Sequence, residues 1–238
     1  MNKDYLAAMG IPLWKNASSA AVVYSHKNAC DSGESKDDKK DGDNPIPSAL
    51  LPELAQCVAN CIACPLHKTR TQTVFGVGNP RADIMFIGEA PGFYEDQQGE
   101  PFVGRAGQLL NAMLGAIGLD RQTIYIANVL KCRPPQNRDP LPAEVETCTP
   151  FLDKQIAAIQ PRLLVALGRI AAHYLLKTDT PLGKMRGKWH RYSNIPLLVT
   201  YHPAYLLRNP SDKRKALQDL QQILAAKPEN ARAFSPTH

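Results

Sequence analysis

The central and C-terminal parts of the chain alternate between short apolar runs and longer segments with apolar residues at helical spacing. The runs predict buried strands, because each is short and is bounded by glycine, proline or polar residues. They lie at residues 84–87, 124–130, 163–168 and 195–200. The longer segments predict helices at residues 50–66, 106–117, 142–159, 169–176 and, for the most part, 206–226. This alternation predicts an α/β fold whose parallel sheet is covered on both faces.

Polar residues follow three of these predicted strands at their carboxyl ends. The first strand leads into residues 88–92, which contain Glu89. The second strand ends on Asn128, and His202 follows the fourth. Because ligands of open α/β sheets bind beside the carboxyl ends of strands, these residues are the candidate site. Taken alone, the first of these loops has a plain alternative, a solvated acidic loop.

The size and composition of the chain are those of one globular domain with a polar extension. A chain of 238 residues with 44% hydrophobic residues can bury one full core. No apolar run is long enough to span a membrane, and the first residues lack the apolar stretch of a secretory signal. We therefore expect a cytoplasmic protein. Residues 1–43 carry six lysines and seven acidic side chains, whereas the remainder carries 22 basic and 15 acidic ones. The basic excess of the remainder suits a polyanionic partner.

The N-terminal region is predicted to lie outside the folded domain. Residues 16–46 predict a disordered linker, since residues 32–44 contain no apolar side chain that could join a core. Residues 1–15 include the apolar stretch 5–14, which is either an unstructured end, a patch that packs on the domain, or a motif that docks on a partner. Its similarity to the amino-terminal peptide of the psi subunit of bacterial clamp loaders favours a replication or repair protein. The folded domain is predicted at 47–227, with a tail at 228–238.

Four of the six cysteines have the spacing of a metal site. Cys61 and Cys64 form a Cys-x2-Cys pair before the sheet, while Cys132 and Cys148 come after the second strand. Four thiolates accept either zinc or an iron–sulfur cluster, and the spacing does not choose between them. The alternative is four unrelated buried thiols. The remaining two cysteines are predicted to take no part, namely Cys30 and Cys57.

Several motifs, in order along the chain, match one known family. They are GEAPG at 88–92, PFVGR at 101–105, Asn128, KCRPP at 131–135 and HPAYLLR at 202–208. Through them, residues 57–226 resemble the family 4 uracil-DNA glycosylases, the iron–sulfur branch of that superfamily. The resemblance implies a three-layer α/β/α sandwich with a four-stranded parallel sheet, in agreement with the four strands predicted above. It also implies a structural [4Fe–4S] cluster, rather than zinc, on the four cysteines Cys61, Cys64, Cys132 and Cys148.

The resemblance assigns roles around a uracil base that has been flipped out of DNA. Glu89 positions the hydrolytic water, helped by the backbone of Ala90, and stabilises positive charge on the sugar. His202 donates a hydrogen bond to uracil O2 as negative charge develops there. Glu95 forms a side wall near C5 of the base, and this wall excludes the methyl group of thymine.

Two further residues fit such a pocket by their own chemistry. Phe102 is an aromatic plate on which the base can stack, although plain core packing is the alternative. Asn128 can read uracil O4 and N3–H through its amide, whereas cytosine presents the opposite donor pattern. The alternative for Asn128 is a residue that ends a strand and starts a turn.

Two segments are predicted to contact the DNA outside the pocket. The first, 203–208, resembles a loop that enters the minor groove and inserts a wedge into the vacated stack. The second, 184–191, is a basic hairpin-like segment, with a solvated basic loop as the alternative. The predicted contact residues are Tyr205, Leu206, Leu207, Arg208, Lys184 and Arg186. The first three are candidates for the wedge, and the cations are candidates for phosphate contacts.

The resemblance therefore implies a monomeric bacterial enzyme that removes uracil from single- or double-stranded DNA and so starts base excision repair near the nucleoid. Residues 131–138 contain no histidine. A related branch of the superfamily traps uracil-DNA covalently through a histidine in this region, so its absence favours turnover. The alternative is a non-catalytic iron–sulfur protein that binds DNA and recruits replication or repair factors through residues 5–14.

Overall fold

The computed structural model describes residues 50–226. Nearly all of this region belongs to one compact unit, Asn44–Ile223. The predicted docking peptide, the linker and the C-terminal tail lie outside the described residues. No helix among residues 50–226 is long and apolar enough to cross a membrane.

Eight α-helices and six strands make up the described region. The helices are α1 Leu51–Ala59, α2 Phe93–Gln98, α3 Arg105–Gly115, α4 Pro142–Ile159, α5 Arg169–Leu176, α6 Leu182–Met185, α7 Pro203–Arg208 and α8 Lys213–Ala226. The strands are β1 Val77–Gly78, β2 Ile84–Gly88, β3 Tyr125–Asn128, β4 Leu163–Leu167, β5 Trp189–Tyr192 and β6 Ile195–Thr200. Short 3₁₀ turns lie at Pro65–Lys68, Pro135–Asn137 and Pro210–Asp212.

The strands form one mixed sheet in the order β1-β3-β2-β4-β6-β5. The four central strands are parallel and are the four predicted from the apolar runs. The α/β prediction is confirmed, but the predicted number of strands is wrong. Two antiparallel strands, β1 and β5, extend the sheet at its edges.

Both edge strands have local signals that hydrophobic periodicity does not detect. β1 is only two residues long, and a Cβ on Gly78 would meet the backbone of β3, so glycine permits the close approach. β5 joins β6 through Ser193 and Asn194, which both have positive φ angles of 43° and 72°. Two such residues make the tight turn of a β-hairpin. The hairpin-like prediction for the basic segment therefore agrees with the β5–β6 pairing.

The central strands are buried on both faces, as their continuous apolar sequences require. Successive side chains of a strand point to opposite faces. On one face, Met85, Ala166 and Val199 belong to a core cluster with α4 and α5. The alternate residues, such as Phe86 and Val165, are equally buried.

Two predicted helices are interrupted. The helix predicted at 50–66 ends at Ala59, so Cys61 and Cys64 lie in irregular chain before the Pro65–Lys68 turn. The helix predicted at 206–226 divides into α7 and α8 at Pro210, because proline cannot donate the backbone hydrogen bond that would continue a helix.

The strand order also fixes where a ligand can bind. From β2 the chain first moves to β3 on one side, and then crosses to β4 on the other side. The carboxyl ends of β2 and β4 therefore form the topological switch point of the parallel sheet. The loop with Glu89 leaves the sheet at this point.

Candidate active site

Gly88 and Asn128 form the floor of the site, since they are paired across β2 and β3. A Cβ on Gly88 would lie 2.7 Å from Cζ of Phe102, and closer still to Oδ1 of Asn128. Glycine is therefore required at this position, because any side chain would displace both groups. The arrangement places an aromatic ring beside a polar amide at the end of the sheet.

The Asn128 side chain is buried, and its Oδ1 accepts no hydrogen bond within the described residues. An unsatisfied buried polar atom costs about 1–3 kcal/mol, so it needs a compensating reason. An amide that is held at the end of β3 with an acceptor to spare is suited to a ligand that donates an N–H group. This is the property that a reader of the uracil edge requires.

Phe102 is held in an unusual backbone conformation, with φ of 56°. Arg121 supports it by donating to the carbonyl oxygens of Phe102 at 3.3 Å and Pro101 at 2.7 Å. Gly107 passes so close that a Cβ there would lie 1.7 Å from the Phe102 oxygen. Phe102 is 6% exposed, and its ring centroid lies 5.5 Å from that of His202. The ring is therefore fixed as one wall of the site.

Glu95 contacts the backbone of the same loop. Its Oε1 accepts hydrogen bonds from the N–H groups of Val103 at 3.0 Å and Gly104 at 3.1 Å. Gly104 precedes α3, so the carboxylate satisfies donors at the start of that helix. Sequence reasoning missed this positioning role. The predicted side wall at C5 of the base stays a prediction.

Glu89 has an environment that favours its neutral form. Burial, aided by the charge of Asp139 and opposed by that of Arg169, raises the pKa of Glu89 to about 7. Arg169 and Asp139 form an exposed ion pair at 2.8 Å. A carboxyl group with a pKa near neutral pH, directly after the Gly88 that the Phe102 ring approaches, is characteristic of a catalytic acid or base.

His202 is held as a neutral imidazole. Its Nδ1 accepts a hydrogen bond from the Ala204 N–H at 3.1 Å, so the ring proton is on Nε2. Burial, aided by Arg208, lowers the pKa of His202 to about 4. Gly168, with φ of 92°, allows the close approach of the His202 side chain. Nε2–H is therefore a hydrogen-bond donor at neutral pH.

A cavity beside the sheet is lined by the four predicted ligand cysteines. Arg70 donates to Sγ of Cys132 at 3.0 Å, and the Lys131 backbone N–H donates to Sγ of Cys148 at 3.2 Å. Burial raises the pKa of Cys148 to about 12. Donors that point at sulfur are typical of the surroundings of cluster thiolates, so the residues fit an iron–sulfur group.

A single zinc ion and an iron–sulfur cluster place different demands on these four thiols. In the region 50–226, no three side chains of histidine, cysteine, aspartate or glutamate are grouped to hold one metal ion. A zinc site brings each sulfur to about 2.3 Å from the same ion. A [4Fe–4S] cluster instead binds each thiolate to a different iron and needs a larger cavity. The resemblance to the family 4 uracil-DNA glycosylases, rather than the geometry, favours the cluster over zinc.

Lys131 joins the cysteine cavity to the floor of the site, a contact that no sequence pattern predicts. Its side chain is buried, and Nζ donates to the Asn128 carbonyl at 2.8 Å and to Gln155 Oε1 at 2.5 Å. Gln155 in turn donates to the carbonyl of Phe75 at 2.9 Å. A lysine in a loop with three prolines is expected to be exposed, so only the tertiary structure reveals this contact.

Comparison with known proteins identifies the chain. The family model of the uracil DNA glycosylase superfamily matches residues 75–221. A type-4 uracil-DNA glycosylase of Archaeoglobus fulgidus is 44% identical over 181 residues, which are 73% of this chain and 91% of that protein. The chain belongs to the type-4 family. A type-4 uracil-DNA glycosylase of Thermotoga maritima is 43% identical over 179 residues, 73% of this chain and 92% of the relative. A type-5 uracil-DNA glycosylase of Pyrobaculum aerophilum is more distant, with 29% identity over 164 residues, 62% of this chain and 71% of the relative.

The residues of α7 that are predicted to contact DNA differ in their exposure to solvent. Leu206 is 1% exposed and packs in the core, whereas Leu207 is 36% exposed. Tyr205 stacks on Tyr201 at 5.0 Å and donates its hydroxyl to Asp212. Of the three wedge candidates, Leu207 alone combines an apolar side chain with exposure.

The two predicted cations of the basic segment also differ. Arg186 forms an ion pair with the buried carboxylate of Asp219, and it donates to the Lys215 carbonyl at 2.7 Å. Its guanidinium therefore supports the packing of α8 rather than facing a phosphate. Lys184 and Arg208 are exposed and stay candidates for phosphate contacts.

Proposed function

We propose that this protein is a uracil-DNA glycosylase that hydrolyses the N-glycosidic bond of deoxyuridine and so starts base excision repair. The observation that carries the proposal is the buried Asn128 side chain, whose Oδ1 accepts no hydrogen bond within residues 50–226 and lies with the Phe102 ring beside Gly88. The printed names of the type-4 relatives support the same activity. Membership of this family alone does not establish the chemistry, which follows from the residues themselves.

Recognition of uracil rests on Asn128 and Phe102. The amide oxygen of Asn128 accepts a hydrogen bond from uracil N3–H, and its NH₂ group donates to O4. Cytosine offers an acceptor at N3 and a donor at C4, so it leaves two buried groups of the site unsatisfied. A mismatch of this kind costs several kcal/mol, which is enough for strong discrimination.

Bond cleavage rests on Glu89 and His202. The bond between uracil N1 and C1′ breaks, and its electron pair leaves with the base. The ionised Glu89 stabilises the positive charge on the sugar and orients the water that adds to C1′. The added water then loses a proton to the carboxylate or to solvent. Nε2–H of the neutral His202 donates to O2 of the departing uracil anion. The backbone of Ala90 helps to hold the water.

The cysteines Cys61, Cys64, Cys132 and Cys148 would hold a [4Fe–4S] cluster. When bound, the cluster would join the segment after α1, the loop after β3 and α4 through these cysteines, and would take no part in hydrolysis. Lys131 then ties that loop to the Asn128 carbonyl. The cluster thereby supports the position of the uracil reader.

An oligonucleotide assay tests the proposal. Cluster-replete protein is incubated with a labelled strand containing one deoxyuridine, alone or opposite guanine, and the products are treated with alkali. We expect an alkali-labile break at uracil, and none at thymine or cytosine in matched strands. Binding without any break would favour the non-catalytic DNA-binding alternative. Glu89 and His202, which follow the carboxyl ends of β2 and β6, support an enzyme over that alternative.

The exposed position of Leu207 predicts a selective effect on duplex substrates. The Leu207→Ala variant should excise uracil from a U·G duplex roughly tenfold more slowly, because the vacated stack loses its wedge. Excision from single-stranded DNA should change less than twofold. Leu217→Ala on α8, where the leucine is 39% exposed, is the matched control and should leave both rates unchanged. Equal losses on both substrates would contradict the wedge role.

The N-terminal stretch 5–14 remains a proposed docking motif for a replication or repair protein. A synthetic peptide of residues 1–20, immobilised and exposed to a bacterial extract, should retain such a protein. A peptide with Trp14 replaced by alanine is the control. Recovery of nothing beyond the control would count against the motif.

A further inference from the structure

Two adjacent aromatic side chains are exposed at the start of α2. Phe93 is 49% exposed and Tyr94 is 58% exposed, whereas Phe86 and Phe102 are buried. The two rings meet edge to face, with centroids 5.4 Å apart and planes at 81°. Large apolar side chains that stay in water together are costly, and such pairs often mark a binding surface.

The pair lies at the rim of the uracil pocket. Residue 93 follows directly on the 88–92 loop that contains Glu89. The Tyr94 ring packs against Gly104, so that a Cβ there would lie 3.3 Å from Cδ2. Gly104 is two residues from Phe102, the proposed stacking wall. Both aromatic rings are therefore connected to the loops that form the pocket.

A cation from another loop completes this surface. The guanidinium carbon of Arg133 lies 5.0 Å from the Phe93 ring centroid. Nε of Arg133 donates to Asn137 Oδ1 at 2.7 Å, which fixes the side chain. Arg133 belongs to the loop after β3, the strand that ends on Asn128. An arginine held over an aromatic ring combines positive charge with a flat face, which suits nucleic acid.

The helix under the pair is anchored. The buried carboxylate of Asp96 accepts from the Thr71 N–H at 2.9 Å and 3.1 Å through its two oxygens. Gln97 donates to the Thr71 hydroxyl at 2.7 Å, and Gln72 donates to the Gln97 carbonyl at 2.7 Å. A short helix held in this way keeps its exposed rings in place, so little conformational entropy is lost on binding.

We propose that Phe93, Tyr94 and Arg133 form a platform that stacks an unpaired base of the DNA strand next to the flipped uracil. The identity of the bound strand rests on the proposed function, which places uracil-containing DNA at these loops. Every base has a π-face, so the platform binds without sequence preference. The platform acts on substrate binding and leaves the bond-breaking step to Glu89 and His202.

The test compares the wild type with the double variant Phe93→Leu/Tyr94→Leu, which keeps apolar bulk but removes both π-faces. Substrates are single strands with one deoxyuridine, flanked by normal nucleotides or by abasic tetrahydrofuran residues on the 5′ side, the 3′ side or both. On normal strands we expect KM of the variant to rise roughly tenfold, while kcat stays within about twofold. On the doubly abasic strand, KM of the wild type should rise to that of the variant, and the variant should change no further. Leu217→Ala is the matched control.

Two results would overturn the platform. One is an unchanged KM for the variant on normal strands. The other is the same KM ratio between variant and wild type on normal and abasic-flanked strands, which would indicate a general structural effect.

Failure of the proposed function is recognised separately. If the wild type excises uracil from no strand, binding of the same oligonucleotides is followed by fluorescence anisotropy. Binding by the variant that is roughly tenfold weaker on normal strands only would still support the platform, and equal binding would refute it.

Discussion

Replacement of Glu89 by glutamine should slow uracil excision at least about a hundredfold while DNA binding stays within about threefold of the wild type. The amide has the size of the carboxylate but cannot stabilise a cationic sugar or accept a proton from water. Single-turnover excision measures the rate, and anisotropy with a uracil-containing strand measures the binding. Rates within a few-fold of the wild type would remove Glu89 from the mechanism.

The same residue predicts the pH dependence. Because burial raises the pKa of Glu89 to about 7, the active carboxylate is lost as the pH falls through 7. We expect kcat/KM to fall tenfold per pH unit below that value and to level off above it. His202, whose pKa is lowered to about 4, stays neutral over this range, so its protonation does not cause the fall in kcat/KM. Asp139→Asn should shift the fall in kcat/KM to lower pH, because Asp139 raises the pKa of Glu89. Arg169→Gln should shift it to higher pH, because Arg169 lowers that pKa.

As the pH rises, the contribution of Glu89 to stability should fall while the activity increases. A carboxyl group whose pKa is raised on folding contributes stability at low pH that is lost as the pH rises through the folded pKa. The Glu89→Gln variant should therefore melt at a higher temperature than the wild type at pH 8, and at nearly the same temperature at pH 4, below the ordinary glutamate pKa of 4.5. Thermal melts at the two pH values check this expectation. A variant that is less stable at pH 8 would show that the carboxylate is satisfied in the fold.

The second large effect is expected at the cysteine cavity. Cys132→Ser should abolish the visible absorption of an iron–sulfur cluster and lower Tm by about 10 °C or more, because a structural metal group contributes much of the stability of its surroundings. Cys132 lies among apolar residues of α1 and α4, so the loss of the cluster should also expose this region to protease.

Cys57 provides a matched control from the same cluster of residues. It packs against the apolar side chains near the cavity but does not line the cavity. Cys57→Ser should keep the absorption and the iron and sulfide content of the wild type. Equal losses in the two variants would contradict the ligand assignment, and a colourless wild-type protein with one bound zinc would contradict the cluster.

Much of the fold is predictable from local sequence patterns. The bounds of α4, α5 and β6 agree with the prediction to the residue. α4 has helical spacing behind a proline at its first turn, α5 begins directly after Gly168, and β6 is a mostly apolar run. The edge strand β1 was missed, because two residues have no periodicity.

The ligand cysteines show the limit of the same reasoning. Apolar spacing extends the first helix through Cys64, but the chain leaves the helix after Ala59. Cys61 and Cys64 line the cavity from this irregular segment, together with cysteines distant in the sequence. The need to bring these cysteines together ends the helix early, and this need comes from the tertiary structure. It leaves no pattern in the helical spacing of the sequence.

Local pattern and residue type are enough to predict the parallel α/β sheet, the polar residues at its carboxyl edge and the four candidate ligands. Packing in the folded chain sets which of those residues are exposed, which carry a charge and which are fixed in position by hydrogen bonds or ion pairs. It buries Leu206 and exposes Leu207, pairs Arg186 with Asp219, and places Lys131 beneath the Asn128 carbonyl. Burial and the pKa of a group depend on everything packed around it, so residues far apart in the sequence set them together.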